Sequence, residues 1–196
     1  MIHARAKAAA IAAGLFAVTA YALSVSSSVL AVSLQGNQLG VSAPRFHFLT
    51  GKALDRLHDG LSLGFDAQLS LLAPEAAPPL ERSVDRFLVS YDVWEEKFAV
   101  TRMRDPREKA SHLTASDAEA WCLGRMHLGA AHLDRMRLLM VRLEMRAEEN
   151  EEAAPLLGDP GLNLASLIEI FSRPARSQQQ HWQIDSLPFR VRDLEH

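Results

Sequence analysis

Leu61-Ser62-Leu63-Gly64-Phe65-Asp66-Ala67-Gln68-Leu69-Ser70-Leu71 decides the fold class. Leu61, Leu63, Phe65, Ala67, Leu69 and Leu71 face one way, and Ser62, Gly64, Asp66, Gln68 and Ser70 face the other. A strict period of two over this length predicts a β-strand with one buried face. At ~3.3 Å per residue the stretch spans on the order of 35 Å, long for a small domain.

Downstream, Pro74, Pro78 and Pro79 predict a break. Phe87, Val89, Tyr91 and Val93 then alternate with Arg86, Ser90 and Asp92 to give a second long strand. Phe98 and Val100 resume the alternation in another phase beyond Trp94-Glu95-Glu96. Residues 84–103 therefore read as a hairpin or a bulged pair of strands. Leu139, Val141, Leu143 and Met145, set against Arg142, Glu144 and Arg146, predict another strand within residues 137–147. Trp182 and Ile184 predict a further one, and Phe189 and Val191 a last. Upstream, residues 45–49 alternate as a short first strand.

Helix signals are fewer. Thr50 caps a short helix with Ala53, Leu54 and Leu57 on its apolar face, and Asp59-Gly60 ends it. Thr114-Ala115-Ser116-Asp117 is a capping box with Asp in place of Glu. The helix behind it places Ala118, Trp121, Cys122 and Arg125 on neighbouring turns. Glu148-Glu149-Asn150-Glu151-Glu152 opens an acidic loop that runs to Gly161. Asn163 then caps a helix with the stripe Leu164, Leu167, Ile168 and Phe171, stopped by Pro174. Strands that follow one another directly pair antiparallel by default. No strand–helix–strand unit with a Gly-rich turn is present. The expectation is an α+β fold: mainly an antiparallel β-sandwich or curved sheet with two or three short helices, preceded by an N-terminal hydrophobic helix.

That N-terminal helix carries the location signal. Residues 1–7 hold His3, Arg5 and Lys7 and no acid, and residues 8–34 hold no charge. A basic start, an apolar middle and small residues after it form the layout of a signal peptide, with cleavage sites after Ala31 or near Ser24. The uncharged run is also long enough for an uncleaved anchor. Either way the domain lies outside the cytoplasm, periplasmic or anchored to the inner membrane. The domain reading is residues 1–31 as signal peptide or anchor, 32–44 as linker, and 45–194 as the β-rich extracytoplasmic domain.

Composition narrows the activities. Arg5 and Lys7 fall in the export segment and none of the 24 acids does, so the remainder is more acidic than the whole chain at −3. No nucleic-acid partner is expected of such a surface, although a local basic patch remains compatible with it. The one cysteine, Cys122, excludes an intramolecular disulfide and reads as a small buried hydrophobe. The histidines (His3, His47, His58, His112, His127, His132, His181 and His196) form no HExxH and no i, i+4 pair, so neither a metal nor another cofactor is expected. His47 and His181 could still meet across strands. Glu95-Glu96 are adjacent on a strand and so face opposite ways, which does not make a glycosidase pair. GxSxG and the phosphate-binding P-loop are absent. No catalytic residue is assigned. Tyr91, Asp92, Trp94, Glu95 and Glu96 lie in the densest aromatic and charged segment and are the candidate binding ridge.

Phe87–Phe98 (FLVSYDVWEEKF), Trp121-Cys122-Leu123 and Ile168-Glu169-Ile170-Phe171-Ser172-Arg173-Pro174 resemble the pattern of an uncharacterised family of exported bacterial proteins. The resemblance covers most of residues 45–194. It implies an N-terminal export segment and a β-rich domain, and no activity. Three functions stay open. The first is a non-catalytic binding or assembly module of the periplasm or cell envelope, with an envelope protein as partner and the membrane as a second one through residues 8–34 if these are uncleaved. The second is a carrier of a lipid or other apolar ligand. The third is a hydrolase whose site unites Asp92, His112 or His181 with a serine.

Overall fold

The computed structural model describes residues 29–74, 76–148 and 180–195. The N-terminal apolar segment, the acidic loop beyond Glu148 and the helix read at Asn163 lie outside the described residues.

The order of elements is β1 (Ala31–Gln35), β2 (Gln38–Ser42), α1 (Gly51–His58), β3 (Leu63–Ala73), β4 (Ala76–Asp92), β5 (Lys97–Arg102), β6 (Glu108–Leu113), α2 (Ala115–Leu123), β7 (His127–Gly129), β8 (Met140–Ala147) and β9 (His181–Asp185), followed by a 3-10 turn at Val191–Leu194. Two sheets result. One has the order β1-β2-β7 and the other β6-β5-β4-β3-β8-β9. Every ladder between these strands is antiparallel. The fold is α+β and rich in β, as the alternation predicts.

The deciding stretch forms β3 from Leu63 onwards, at the centre of the larger sheet; Leu61 and Ser62 precede the strand, and Leu61 is exposed instead of facing the core. Its partners continue its apolar face in register: Phe65 lies opposite Phe87 and Ala147, and Leu69 lies opposite Leu143. Phe48 meets Phe65 edge-on at 5.1 Å and Trp182 at 6.4 Å. Helix α1 adds buried Ala53 and Leu57, and the His58 ring lies 4.5 Å from that of Tyr91 on β4. Each large side chain sealed in this way contributes about 1.5–3 kcal/mol.

The polar face of β3 departs from expectation. Asp66, Gln68 and Ser70 are 2%, 7% and 4% exposed, so both faces of the strand are buried. A central strand has neighbours on both sides, and their long side chains close over it. Arg86 grips Asp66 with two hydrogen bonds of 2.6 and 3.0 Å and also reaches Glu148 at 2.7 Å. Burial pushes the Glu148 carboxyl up, and the Arg86 guanidinium only partly offsets this. A Cβ at Gly64 would meet the Glu148 carboxylate, so a larger residue there would displace that side chain from Arg86. Arg146, read as outward, is 7% exposed for the same reason.

Four further readings are corrected. Residues 32–44 are not a linker, because 31–42 form the β1–β2 hairpin. Gln35 pairs with Gln38 across a two-residue Gly36-Asn37 turn, and Gly36 takes φ +61°. The turn signal was present, but the alternation of Val32, Leu34, Leu39 and Val41 was diluted by polar neighbours. Residues 45–49 are a loop and not a strand. Pro78 and Pro79 do not break β4. They lie between the pairs Leu71–Glu81 and Ala73–Ala76, where the ladder is irregular and needs no donor from them. Phe189 makes only an isolated bridge to Leu139, and Val191 enters the 3-10 turn.

Candidate functional site

Clefts open on two sides of α2. The larger, about 470 Å³, is lined from both sheets and from the end of α2: Gln38 of β2, Ser83 of β4, Arg102 of β5, Glu108 of β6 and His127 of β7, with Arg104, Gly124 and Arg125 from the connecting turns. Its floor is a chain of alternating charges. Arg102 holds Asp85, which is buried, through bonds of 3.0 and 2.7 Å, and gives its third donor to Glu108 at 3.1 Å. The other Glu108 oxygen accepts from Arg125 Nε at 2.6 Å. The Arg125 guanidinium lies 4.9 Å over the Trp121 ring, a cation–π contact.

Register explains this assembly. Arg102 is directly opposite Phe87 and Glu108 directly opposite Arg102, while Asp85 sits two residues before Phe87 on the same face of β4. The hydrogen bond to Asp85 raises the Arg102 pKa against the opposing effect of burial. Slight desolvation pushes the Glu108 carboxyl up, but Arg125 and Arg102 outweigh it and hold it below its ordinary value. A carboxyl depressed in the fold adds stability above the ordinary carboxylate range and loses it as pH falls through the folded value. Thermal melts of wild type and Glu108→Gln are therefore expected to differ at neutral pH and to converge in acid. A gap that is constant with pH would contradict the pairing.

The smaller cleft, about 260 Å³, lies between the 43–49 loop and α2 and is walled by Phe46, Ala120 and Leu123. At its base is Glu119, a carboxylate only 3% exposed. One of its oxygens accepts from the backbone amides of Phe48 and Leu49 at 2.7 and 2.8 Å, and the other bonds His47 Nδ1 at 2.7 Å. Glu119 thus supplies the partners that a strand ladder would otherwise give to the 45–49 segment. Thr114 starts α2 as the capping box predicts, accepting from the Asp117 amide and donating to its carboxylate.

The candidate ridge divides. Tyr91 is half-buried, with its ring 4.8 Å from Phe98 and 4.5 Å from His58, and belongs to the core side. Asp92, Trp94, Glu95 and Glu96 form the tip of the β4–β5 hairpin. Asp92 Oδ1 accepts from the amides of Trp94 and Glu95, and Glu96 takes φ +53° to close the turn. Trp94 is 97% exposed and Val93 57%. His112 Nε2 meets Glu95 at 3.1 Å, and its Nδ1 meets the neighbouring Ser111. This row is exposed and lines neither cleft. His181 is exposed on β9, opposite Arg146, so Asp92, His112 and His181 do not converge with a serine. His47 pairs with Glu119, and no bond to His181 is formed. Among the described residues no three His, Cys, Asp or Glu side chains are grouped to hold a metal ion. Cys122 is buried, and burial first, then nearby Glu119, raises its thiol far above the range of a nucleophile.

No family model, curated protein or solved structure matches the chain.

The cleft residues escaped the sequence reading because five strands and two connecting turns supply them and no spacing links them. Glu119 left a trace: it is the one charge in the run Ala118-Glu119-Ala120-Trp121-Cys122-Leu123.

Proposed function

We propose that the chain is a non-catalytic binding or assembly module of the cell envelope, working outside the cytoplasm and docking a protein partner through the β4–β5 tip. The observation that supports this reading is Trp94. An indole left 97% in water at the end of a hairpin, with its turn braced by Asp92, is costly to a free monomer and well suited to an interface. Export rests on the charge-free run at residues 8–34, and membership of the exported bacterial family rests on the motifs quoted above. A lipid carrier is the weaker reading, because the inward side chains Phe65, Leu69 and Phe87 belong to one packed cluster with Phe48 and Leu57.

The test is expression of the full-length chain in a bacterium with a photo-crosslinking amino acid at position 93, which leaves Trp94 in place. A defined cross-link to an envelope protein is expected, together with accessibility to protease once the outer membrane is opened. Trp94→Ala should change stability by no more than about 0.5 kcal/mol and abolish that partner's binding to the purified chain. A protected, cytoplasmic chain, or undiminished binding by Trp94→Ala, would sink the proposal. The mass of the same sample bears on cleavage. Leu30 is 1% exposed and its amide bonds the Asp185 carbonyl. Any processed form is therefore expected to begin before Val29, near Ser24, and not after Ala31.

A further inference from the structure

We infer that the larger cleft is a binding site for a phosphate group. The charge count within it is the starting point. Asp85 and Glu108 are fully engaged: Arg102 takes both oxygens of the first, and Arg102 and Arg125 take one oxygen each of the second. Two cationic groups then have donors to spare. Arg125 uses only Nε, which leaves both terminal nitrogens of a guanidinium whose side chain is 40% exposed. Arg104 lines the cleft, and no hydrogen bond or ion pair ties its side chain to another of the described residues. Positive charge therefore exceeds negative at this place in a chain whose total is −3.

The neutral donors add direction. His127 Nδ1 lies 3.3 Å from the Arg125 carbonyl and donates its one N–H there, so the neutral ring offers the cleft no donor. Gln38 of β2 and Ser83 of β4 also line the cleft, with an amide and a hydroxyl. Donors drawn from both sheets exceed what the two oxygens of a carboxylate can accept. They suit a tetrahedral anion with three free oxygens and a charge of up to about −2. The Trp121 face and the Glu108 carboxylate fix Arg125 beforehand, so little side-chain entropy is lost on binding. The cleft is confined to about 470 Å³ and the chain as a whole carries net acid, so the fit is to a compact phosphate and not to a nucleic-acid backbone.

A free phosphate ion and the phosphate of a polar lipid headgroup share this chemistry. Titration calorimetry on the full-length chain in non-ionic detergent, with inorganic phosphate and with glycerol 3-phosphate, separates them. Saturable binding of at least one probe is expected. Tighter binding of glycerol 3-phosphate assigns the site to a headgroup ester, and tighter or equal binding of inorganic phosphate assigns it to the free ion. Arg104→Gln, which breaks no contact, should weaken binding about tenfold and leave the melting temperature unchanged. Lys52→Gln on α1 should leave affinity unaltered. The inference fails if neither probe binds at millimolar concentration, if Arg104→Gln binds as wild type, or if succinate binds as tightly as phosphate. Compartment and protein partner do not enter the titration, so failure here and failure of the docking proposal are distinguishable.

Discussion

Glu119→Ala is expected to destabilise the protein by about 3–5 kcal/mol. The carboxylate is 3% exposed, and it is the bonding partner of two buried amides, Phe48 N–H and Leu49 N–H. Truncation leaves both without an acceptor, each at a cost of about 1–3 kcal/mol. It also releases His47, whose ring is tied to the same carboxylate. The damage spreads, because Phe48 is fully buried against Phe65 and Trp182. Glu119→Gln keeps one oxygen for the two amides and places an NH2 towards His47, so it should cost only about 1–2 kcal/mol. Urea unfolding of the two variants distinguishes the roles. Equal, small losses in both would mean that Glu119 does not hold the 45–49 loop.

The second large effect is Asp85→Ala, expected to cost about 3–5 kcal/mol through the guanidinium it leaves behind. Arg102 is 17% exposed and spends two of its donors on this buried carboxylate. Once unpaired, it must find water from within the sheet or pull Glu108 away from Arg125. The matching double variant, Asp85→Ala with Arg102→Met, removes both charges and should recover more than half of the loss. A buried ion pair replaced as a pair by apolar groups is often close to neutral. Additive losses in the double variant would show that the two side chains are not energetically coupled. Both variants should also weaken phosphate binding, because Glu108 and Arg125 depend on Arg102 for their positions.

How much of this was legible beforehand varies with the range of the interactions. The long ladder was legible because a period of two repeats down Leu63–Ala73, and the 84–103 hairpin because its two strands alternate in different phases. Helix α1 declared itself through its Ala53 and Leu57 face and the Asp59-Gly60 stop, although Thr50 stands at its N-cap without a side-chain bond, and α2 through Thr114 and Asp117. The β1–β2 hairpin was missed although Gly36-Asn37 marks its turn, since five-residue strands offer too few positions for alternation to stand out. The tip residues Asp92, Trp94, Glu95 and Glu96 could be named from the sequence, but their separation from Tyr91 could not. Adjacent residues on a strand end diverge according to where the turn begins.

The sequence by itself determined the local matters: which stretches alternate, where helices start, that Cys122 has no partner, and that a charge-free segment leads the chain. These depend on residues within a few positions of one another, and a linear pattern records them. Only the tertiary structure decided that the polar face of β3 is buried, that Glu119 closes the 45–49 loop across 70 residues or more, and that arginines from β5 and from two connecting turns line one cleft. Those outcomes depend on strand order and register, which place distant residues opposite each other. A charge compensated by a neighbour in space looks, in one dimension, like a charge bound for solvent.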